Sequence, residues 1–199
     1  SSALNSAADA QLIAVEAVSA SAAAAGVLID LSGQAEGFTI TGSASSDTIE
    51  GGAGADNIST GNGANIVYGF YGADTVAGGT GIDTITLTET SATAGVTISL
   101  ASQTEAFTIT GGAFADVLTG GSSTDTFAGF AGADTINGGS GAVTDTLTLT
   151  ATSDDLNNAV DAQLTSVEAV TASTATVDVT INLSAQVEGF SITGGSGDD

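Results

Sequence analysis

Large apolar residues recur at every ninth position over residues 42–86. The chain there divides into the blocks GSASSDTIE, GGAGADNIS, TGNGANIVY, GFYGADTVA and GGTGIDTIT. Position eight of these blocks is always a large aliphatic residue between small or polar neighbours: Ile49, Ile58, Val67, Val76 and Ile85. Because side chains alternate across a strand, this pattern predicts a short strand in each block, with one large side chain pointing into a narrow core.

A second run with the same spacing covers residues 111–148. Its blocks read GGAFADVLT, GGSSTDTFA, GFAGADTIN and GGSGAVTDTLT, the last being longer by two residues. Position eight is again apolar in all four blocks: Leu118, Phe127, Ile136 and Leu147. We refer to residues 42–86 as the first run and to residues 111–148 as the second run.

The polar positions of both runs are equally regular. Glycine begins most blocks, and it permits backbone conformations that turn carbonyl groups inward. Position six is acidic in all blocks but one, and Asp199 occupies position six of a further partial block: Asp47, Asp56, Asn65, Asp74, Asp83, Asp116, Asp125, Asp134, Asp145 and Asp199. Carboxylate and carbonyl oxygens are the ligands that calcium prefers. These ten residues are therefore the candidate metal ligands, and Asn65 departs from the pattern.

The repeat G-G-x-G-x-D-x-U-x resembles the RTX family of calcium-binding β-rolls. The resemblance implies two nonapeptides per coil and calcium held between the turns of neighbouring coils. Asp56 and Asp74 then form one complete row, while Asp47 and Asp83 flank Asn65 in the other row. The resemblance also implies a parallel β-solenoid, and the usual handedness of parallel crossovers makes it right-handed.

Three related segments, which we call the spacer coils or spacer segments, precede, separate and follow the two runs. Residues 27–41, 96–110 and 179–193 share alternating apolar positions and a central phenylalanine (Phe38, Phe107 and Phe190). Residues 1–47 also align without gaps onto residues 153–199, with more than half of the positions identical. The Ala-rich start of the chain has helical propensity, but its copy is rich in Thr, Ser and Val, which favours short strands and turns.

The predicted architecture is all-β: one continuous solenoid over residues 1–199 in which calcium-binding rolls alternate with metal-free coils. The coil segments are 1–41, 89–110 and 151–193. The rolls are 42–88 and 111–150, and residues 194–199 begin a third roll.

The charge balance makes metal part of this fold. The chain has 23 acidic residues and no Lys, Arg or His. Neighbouring strands lie about 4.8 Å apart, and two carboxylates stacked at that spacing repel each other by roughly 1–3 kcal/mol. A divalent cation reverses the sign of this interaction, so we expect calcium as the cofactor.

Composition also excludes several functions. A chain without basic residues is unsuited to bind nucleic acid or anionic membranes. It contains no cysteine and no apolar run long enough to span a membrane. Without His, Cys or Lys, and with Asp residues better explained as calcium ligands, we expect no enzymatic activity.

A few other residues admit two interpretations. Glu16 and its copy Glu168 are interpreted as surface or turn residues. Gln34 and its equivalents Gln103 and Gln186 are interpreted as part of a solvated strand face, with a ladder of side chains or extra metal ligands as the alternative. The aromatic residues at Phe70, Tyr71 and Phe130 either pack onto the roll or form a lateral contact patch.

These observations favour a structural role in a secreted bacterial surface layer, fibre or giant adhesin that calcium rigidifies outside the cell. One alternative is a calcium-binding stalk or secretion module of a type I secreted enzyme or toxin. Another is a module that binds glycans or ice through outward threonines such as Thr84, Thr86, Thr88, Thr146, Thr148 and Thr150. We expect the solenoid to self-associate, end to end or laterally, or to continue in a longer repeat chain.

Overall fold

Short strands separated by tight turns build the whole of the described backbone. The computed structural model describes residues 4–69, 74–86 and 95–199. The strands are β1 (Ala17–Ser19), β2 (Leu28–Asp30), β3 (Thr39–Thr41), β4 (Thr48–Glu50), β5 (Asn57–Gly61), β6 (Ile66–Tyr68), β7 (Thr75–Gly78), β8 (Asp83–Thr86), β9 (Thr97–Ser99), β10 (Phe107–Thr110), β11 (Val117–Thr119), β12 (Thr126–Ala128), β13 (Thr135–Asn137), β14 (Thr146–Thr148), β15 (Leu164–Thr165), β16 (Ala169–Thr171) and β17 (Ser191–Thr193).

Strands that are adjacent in sequence lie in different sheets, with the exception of β16 and β17, and every pairing within a sheet is parallel. One sheet has the order β1-β3-β5-β7, and a second has the order β9-β11-β13-β15. The opposite face is a nine-stranded sheet that runs from β2 through β4, β6, β8, β10, β12, β14 and β16 to β17. The chain is therefore a parallel β-solenoid, as its sequence predicts.

The repeat length of the solenoid is two nonapeptides. Ile40 pairs with Ile58 and Ile58 with Val76, while Ile49 pairs with Val67. Equivalent residues of neighbouring coils in the runs are thus 18 apart in sequence, or 20 apart where the last block of the second run is longer. Each coil places one position-eight residue on each face of the core, which explains why the sequence counts in nines.

The core of the runs is formed by two facing rows of these position-eight side chains. All nine of them, from Ile49 to Leu147, are at most 6 % exposed. Phe38, Phe107 and Phe127 are the largest fully or almost fully buried side chains. Phe130 is also buried and packs onto this core, so the packing interpretation holds for it. Phe70, Tyr71 and Thr88 lie outside the described residues.

Helical turns occur only in the segments that precede the spacer coils, as far as the chain is described. The short helix α1 (Asp154–Asn157) begins at Ser153, whose Oγ accepts a hydrogen bond from Leu156 N–H at 3.0 Å. Single 3-10 turns form at Asp9–Gln11 and at its copy Asp161–Gln163. The start of the chain thus forms turns and a short strand, not a long helix. No helix in the described ranges has the length and apolarity needed to cross a membrane.

Two asparagines take the place of a strand beside the spacer coils. Asn5 Nδ2 donates to Leu28 O at 3.1 Å, and Asn5 Oδ1 accepts from Asp30 N–H at 3.3 Å. Its copy Asn157 makes the same pair of bonds with Thr180 O and Asn182 N–H, at 3.1 and 2.7 Å. Each amide satisfies a donor and an acceptor on the outer edge of an extended segment, as a ladder partner does.

The third spacer segment differs from the alternating strand that its sequence predicts. Residues 179–183 are extended, but they form no strand. Their copy at the start of the chain contains β2, which pairs with β4 of the following coil.

Candidate metal centre

The position-six residues stack into columns in which each side chain supports the coil before it. Asp74 Oδ1 accepts a hydrogen bond from the backbone N–H of Asp56 at 2.7 Å. The same contact links Asn65 to Asp47 at 2.8 Å and Asp83 to Asn65 at 2.9 Å. In the second run it links Asp134 to Asp116 at 2.8 Å and Asp145 to Asp125 at 2.7 Å. We call each such stack an Asp column.

The first residue of each column supports a spacer coil in the same way. Asp56 Oδ1 accepts from Phe38 N–H and Asp125 Oδ1 from Phe107 N–H, both at 2.8 Å. Asp47, Asp116 and Asp199 accept from valine amides: Val27 N–H at 2.8 Å, Val96 N–H at 2.8 Å and Val179 N–H at 3.0 Å. The columns thus connect the spacer coils to the runs.

The second carboxylate oxygen generally folds back onto its own turn. Asp47 Oδ2 accepts from Ser43 N–H at 2.6 Å, and Asp56 Oδ2 accepts from Gly52 N–H at 2.9 Å. Asp116, Asp125 and Asp134 make the equivalent bond to Gly112, Gly121 and Ala131 N–H, at 3.0, 2.7 and 2.9 Å. Because each carboxylate closes its turn and reaches the previous coil, one residue type fixes both the turn and the stacking.

The first glycine of a block lies where oxygens from two coils converge. A Cβ on Gly42 would collide with Thr60 O and stand 2.6 Å from Asp47 Oδ2. A Cβ on Gly120 would collide with both Gly138 O and Asp125 Oδ2. In each case one oxygen is the carboxylate of the same turn and the other is a backbone carbonyl of the next coil. Glycine is required because a side chain would fill this cradle.

Asn65 reverses the polarity of its turn. Its Nδ2 donates to the carbonyl oxygens of Gly61 and Gly63, at 3.2 and 3.1 Å. In five other blocks a carboxylate at this place accepts from a turn amide. An amide donor therefore occupies carbonyl oxygens that are ligand candidates in the neighbouring turns, and this agrees with the departure of Asn65 from the sequence pattern.

The Asp47–Asn65–Asp83 column of the first run ends at a buried carboxylate. Asp83 is 0 % exposed, and no hydrogen-bond donor reaches its Oδ2 among the described residues. A Cβ on Gly78 would stand 2.5 Å from this oxygen and 2.7 Å from the ring of Phe107. The aromatic ring occupies the place that a carbonyl of the next coil holds elsewhere, so Phe107 closes the column.

Burial raises the pKa values of five column carboxyls. Removal from water disfavours the charged form and raises the pKa of Asp56, Asp83 and Asp125, against the opposing effect of their amide hydrogen bonds. The same cause raises the pKa of Asp134 and of Asp145 to about 6. Without a cation, these carboxyls resist ionisation in the folded chain.

The donor set fits calcium. Carboxylate and carbonyl oxygens of successive turns face each other, and such hard oxygen ligands suit calcium. No three acidic side chains meet at one point within the described ranges. Backbone carbonyls would therefore have to complete any site to which each turn contributes one carboxylate. Asp47, Asp56, Asp74, Asp83, Asp116, Asp125, Asp134 and Asp145 are all at most 6 % exposed and lie in columns.

Two residues at the columns are not found by the sequence pattern. Glu168 Oε2 accepts a hydrogen bond from Asp145 N–H at 2.8 Å, so Glu168 continues the Asp125–Asp145 column. Gln163 Nε2 donates to Ala133 O and Asp134 O, both at 3.1 Å. A signal for Glu168 was present, because it precedes the core residue Val170 by two positions, as each position-six Asp precedes its position-eight residue.

The glutamines of the spacer segments have a packing role in two of their three copies. Gln34 is 3 % exposed, and its Nε2 donates to Ala7 O at 2.7 Å. Gln186 Nε2 donates to Ala159 O at 2.9 Å. Gln103 instead bonds Ser102 Oγ at 3.1 Å. Gln34 and Gln186 thus tie the spacer coil to the segment before it and do not lie on a solvated face.

Comparison with known proteins agrees with this geometry. The family model of the RTX calcium-binding nonapeptide repeat (4 copies) matches residues 39–67, 68–86 and 110–144. Neither a curated protein nor a solved structure shows detectable similarity to the chain. The matched segments are those that carry the Asp columns, and the fold is the one that such repeats build. The chain is an RTX β-roll repeat protein.

Proposed function

We propose that this chain is a calcium-dependent structural module of an extracellular bacterial surface layer, fibre or adhesin. The observation that carries the proposal is the burial of the Asp columns in a chain without any basic residue. Buried carboxylates need a compensating charge, and no side chain of this protein supplies one. Calcium between the coils supplies it, so that metal binding becomes folding free energy.

The proposed location follows from the same chemistry. Sites built from few carboxylates and many carbonyls suit the weak calcium affinities of extracellular modules, about 10⁻⁴–10⁻³ M. A chain of this kind stays unfolded where calcium is scarce and folds where it is plentiful. The repeated 47-residue segment and the uniform core support a scaffold role over one that presents a single active site.

Calcium removal tests the proposal. In millimolar-range calcium we expect the circular dichroism of a folded β-protein. After chelation with EGTA at neutral pH we expect most of this signal to be lost, because the metal-free fold is only marginally stable. Magnesium is the control, since it demands a smaller octahedral site and gives up its water reluctantly. A β-signal that is unchanged after complete chelation would overturn the proposal.

We also propose that the stack of strands extends beyond one chain or one repeat unit. β2 and β17 each have one ladder partner in the described chain, so each leaves unpaired N–H and C=O groups on its outer side. Asn5 covers part of the edge at β2. Sedimentation velocity with calcium, at increasing protein concentration, should show self-association. A monomer at all concentrations would contradict association between copies.

A second candidate function is binding of glycans or ice through the nine-stranded sheet. Thr84, Thr108, Thr126 and Thr146 occupy successive places in one outward row, as the strand register shows. This row is longer than the sequence alone indicates, because the spacer strand β10 contributes to it. Co-sedimentation with insoluble polysaccharides and ice-recrystallisation assays test this function. Thr126→Lys should abolish polysaccharide binding or the inhibition of ice recrystallisation, whereas Thr135→Lys, in the other sheet, should not.

A further inference from the structure

We propose that Glu168 provides an additional calcium ligand, which extends the second run by one site beyond its nonapeptides. The site lies between the Gly138–Asp145 turn and the segment Ser166–Glu168. The assignment of Glu168 rests on the proposed calcium-dependent function and adds one calcium ligand to those of the Asp columns. The nonapeptide family match ends at residue 144, so this site uses a carboxylate outside the repeat.

The strand register aligns Glu168 with the Asp column. Thr146 of β14 pairs with Ala169 of β16, which places Glu168 opposite Asp145, one residue earlier on each strand. Glu168 Oε2 accepts from Asp145 N–H at 2.8 Å, just as Asp145 Oδ1 accepts from Asp125 N–H at 2.7 Å. The glutamate therefore occupies the structural position of a tenth position-six acid, with one more methylene in its side chain.

The backbone before Glu168 reproduces the glycine cradle of the runs. A Cβ on Gly138 would collide with Ser166 O and stand 2.6 Å from Asp145 Oδ2. At Gly120 the corresponding oxygens are Gly138 O and Asp125 Oδ2. Ser166 reaches this carbonyl position with a φ of 52°, in the left-handed region that few residues other than glycine adopt. Thus the next coil offers a carbonyl and a carboxylate without a nonapeptide.

The Asp145 side chain points into this cradle, and one of its carboxylate oxygens accepts no hydrogen bond from a turn amide. It is 3 % exposed, and its Oδ1 is used on Asp125 N–H. Asp47, Asp56 and Asp125 use Oδ2 on a turn amide, whereas no amide of the described residues donates to Asp145 Oδ2. The block of Asp145 is longer by two residues than the nonapeptides.

The neighbouring column shows how this fold ends a column without metal. After Asp134, the next side chain is Gln163, and its amide donates to Ala133 O and Asp134 O. This neutral donor occupies the carbonyls. After Asp145 the chain instead places an acid beside another acid, with no basic residue anywhere in the sequence. Two adjacent carboxylates and a converging carbonyl fit a divalent cation and no group of this protein.

Calcium titration of two matched variants tests the site. Glu168→Gln keeps the acceptor for Asp145 N–H but removes the charge, and Glu16→Gln makes the same change at an exposed residue of the copied segment. Calorimetry should show one calcium fewer per chain in Glu168→Gln than in the wild-type protein, and an unchanged number in Glu16→Gln. The circular dichroism of all three proteins in saturating calcium serves as the check on folding.

Each result has a distinct meaning. The same number of sites and the same affinities in Glu168→Gln and the wild-type protein would overturn the role of Glu168 and leave the proposed function intact. A wild-type protein that binds no calcium would overturn the proposed function itself. If Glu168→Gln does not fold, the Glu168 side-chain carboxyl resonance of the wild-type protein decides. We expect a paramagnetic lanthanide that replaces calcium in the folded protein to broaden it strongly, and a resonance broadened no more than that of Glu16 would overturn the assignment.

Discussion

The carboxylate of Asp145 accepts a hydrogen bond at 2.7 Å from the backbone N–H of Asp125, which belongs to the preceding coil. Through this contact a side chain that is a candidate calcium ligand also holds two coils in register. The same carboxyl is buried, and burial raises its pKa. Metal binding and stacking therefore use the same atoms, so that the folding of the runs and their affinity for calcium should change together in most variants.

The first prediction concerns the glycine cradles. Gly120→Ala places a Cβ against Gly138 O and Asp125 Oδ2, and backbone atoms of a stacked coil cannot move aside without breaking ladder contacts. Overpacking of this kind costs roughly 1–3 kcal/mol. We expect a lower free energy of unfolding in urea and a weaker calcium affinity, both measured on the same preparation.

Gly189 supplies the matched control, because a Cβ there would meet no atom within 4 Å. Gly189→Ala should leave both quantities nearly unchanged, or raise the stability slightly by restricting the unfolded chain. If Gly120→Ala and Gly189→Ala behave alike, the cradle has no role in metal binding or stacking.

The second prediction is that Asn65→Asp lowers the stability of the metal-free fold and strengthens calcium binding. The amide now donates to Gly61 O and Gly63 O. A carboxylate at that place loses both bonds and faces two carbonyl oxygens, a change that costs about 1–3 kcal/mol for buried groups. With calcium, the same three oxygens become ligands. We expect a lower unfolding midpoint in EGTA and a stronger or additional calcium site in calorimetry.

Asn57→Asp adds the same charge at an exposed outward position of the neighbouring block. It should change neither calcium binding nor metal-free stability appreciably. Calcium binding that is equal in Asn65→Asp and the wild-type protein would show that the restored motif does not create a ligand set.

Most of the fold follows from the sequence because its local and global periods agree. One large side chain per nine residues, as at Ile49 and Ile58, is sufficient to predict a strand, its inward residue and its partner two blocks later. The candidate ligands follow equally directly, since every position-six residue from Asp47 to Asp145 lies in a column. The repeats make the fold easier to predict, because the same positions can be compared in every block.

The remaining features depend on contacts between coils, which no single block encodes. Glu168 follows Asp145 by 23 residues and not by 18, so counting in nines does not find it. The role of Asn5 at the edge of β2 depends on a partner far away in sequence.

The third prediction separates a column carboxylate from an outward one. Asp74 is 6 % exposed and accepts from Asp56 N–H, whereas Asp30 is half-buried at the strand edge and bonds Ser32 N–H and Oγ. Asp74→Asn keeps the contact to Asp56 and removes one charge from the column. We expect calcium affinity to fall by at least about tenfold, with no comparable loss in Asp30→Asn. Equal losses in calorimetry would show that the columns are not the binding sites.

The last prediction is a pH dependence that changes sign with calcium. Burial raises the pKa of Asp134 and of Asp145 from the ordinary value of 3.8 to about 6. The folded metal-free chain therefore holds these protons more tightly than the unfolded chain does, and this stabilisation is complete below about pH 4 and is lost as the pH rises through about 6. With saturating calcium the ionised forms are required, so stability should rise over the same interval. Urea unfolding at several pH values, in EGTA and in calcium, measures both curves.

Self-repulsion of the −23 charge also weakens the metal-free fold at higher pH, and Asp134→Asn separates this effect from that of burial. At neutral pH without metal this variant should be more stable than both the wild-type protein and Asp30→Asn, since each variant removes one charge but only Asp134 is buried. Metal-free wild-type protein that becomes more stable from about pH 4 to about pH 7 would contradict the proposed burial of uncompensated carboxyls.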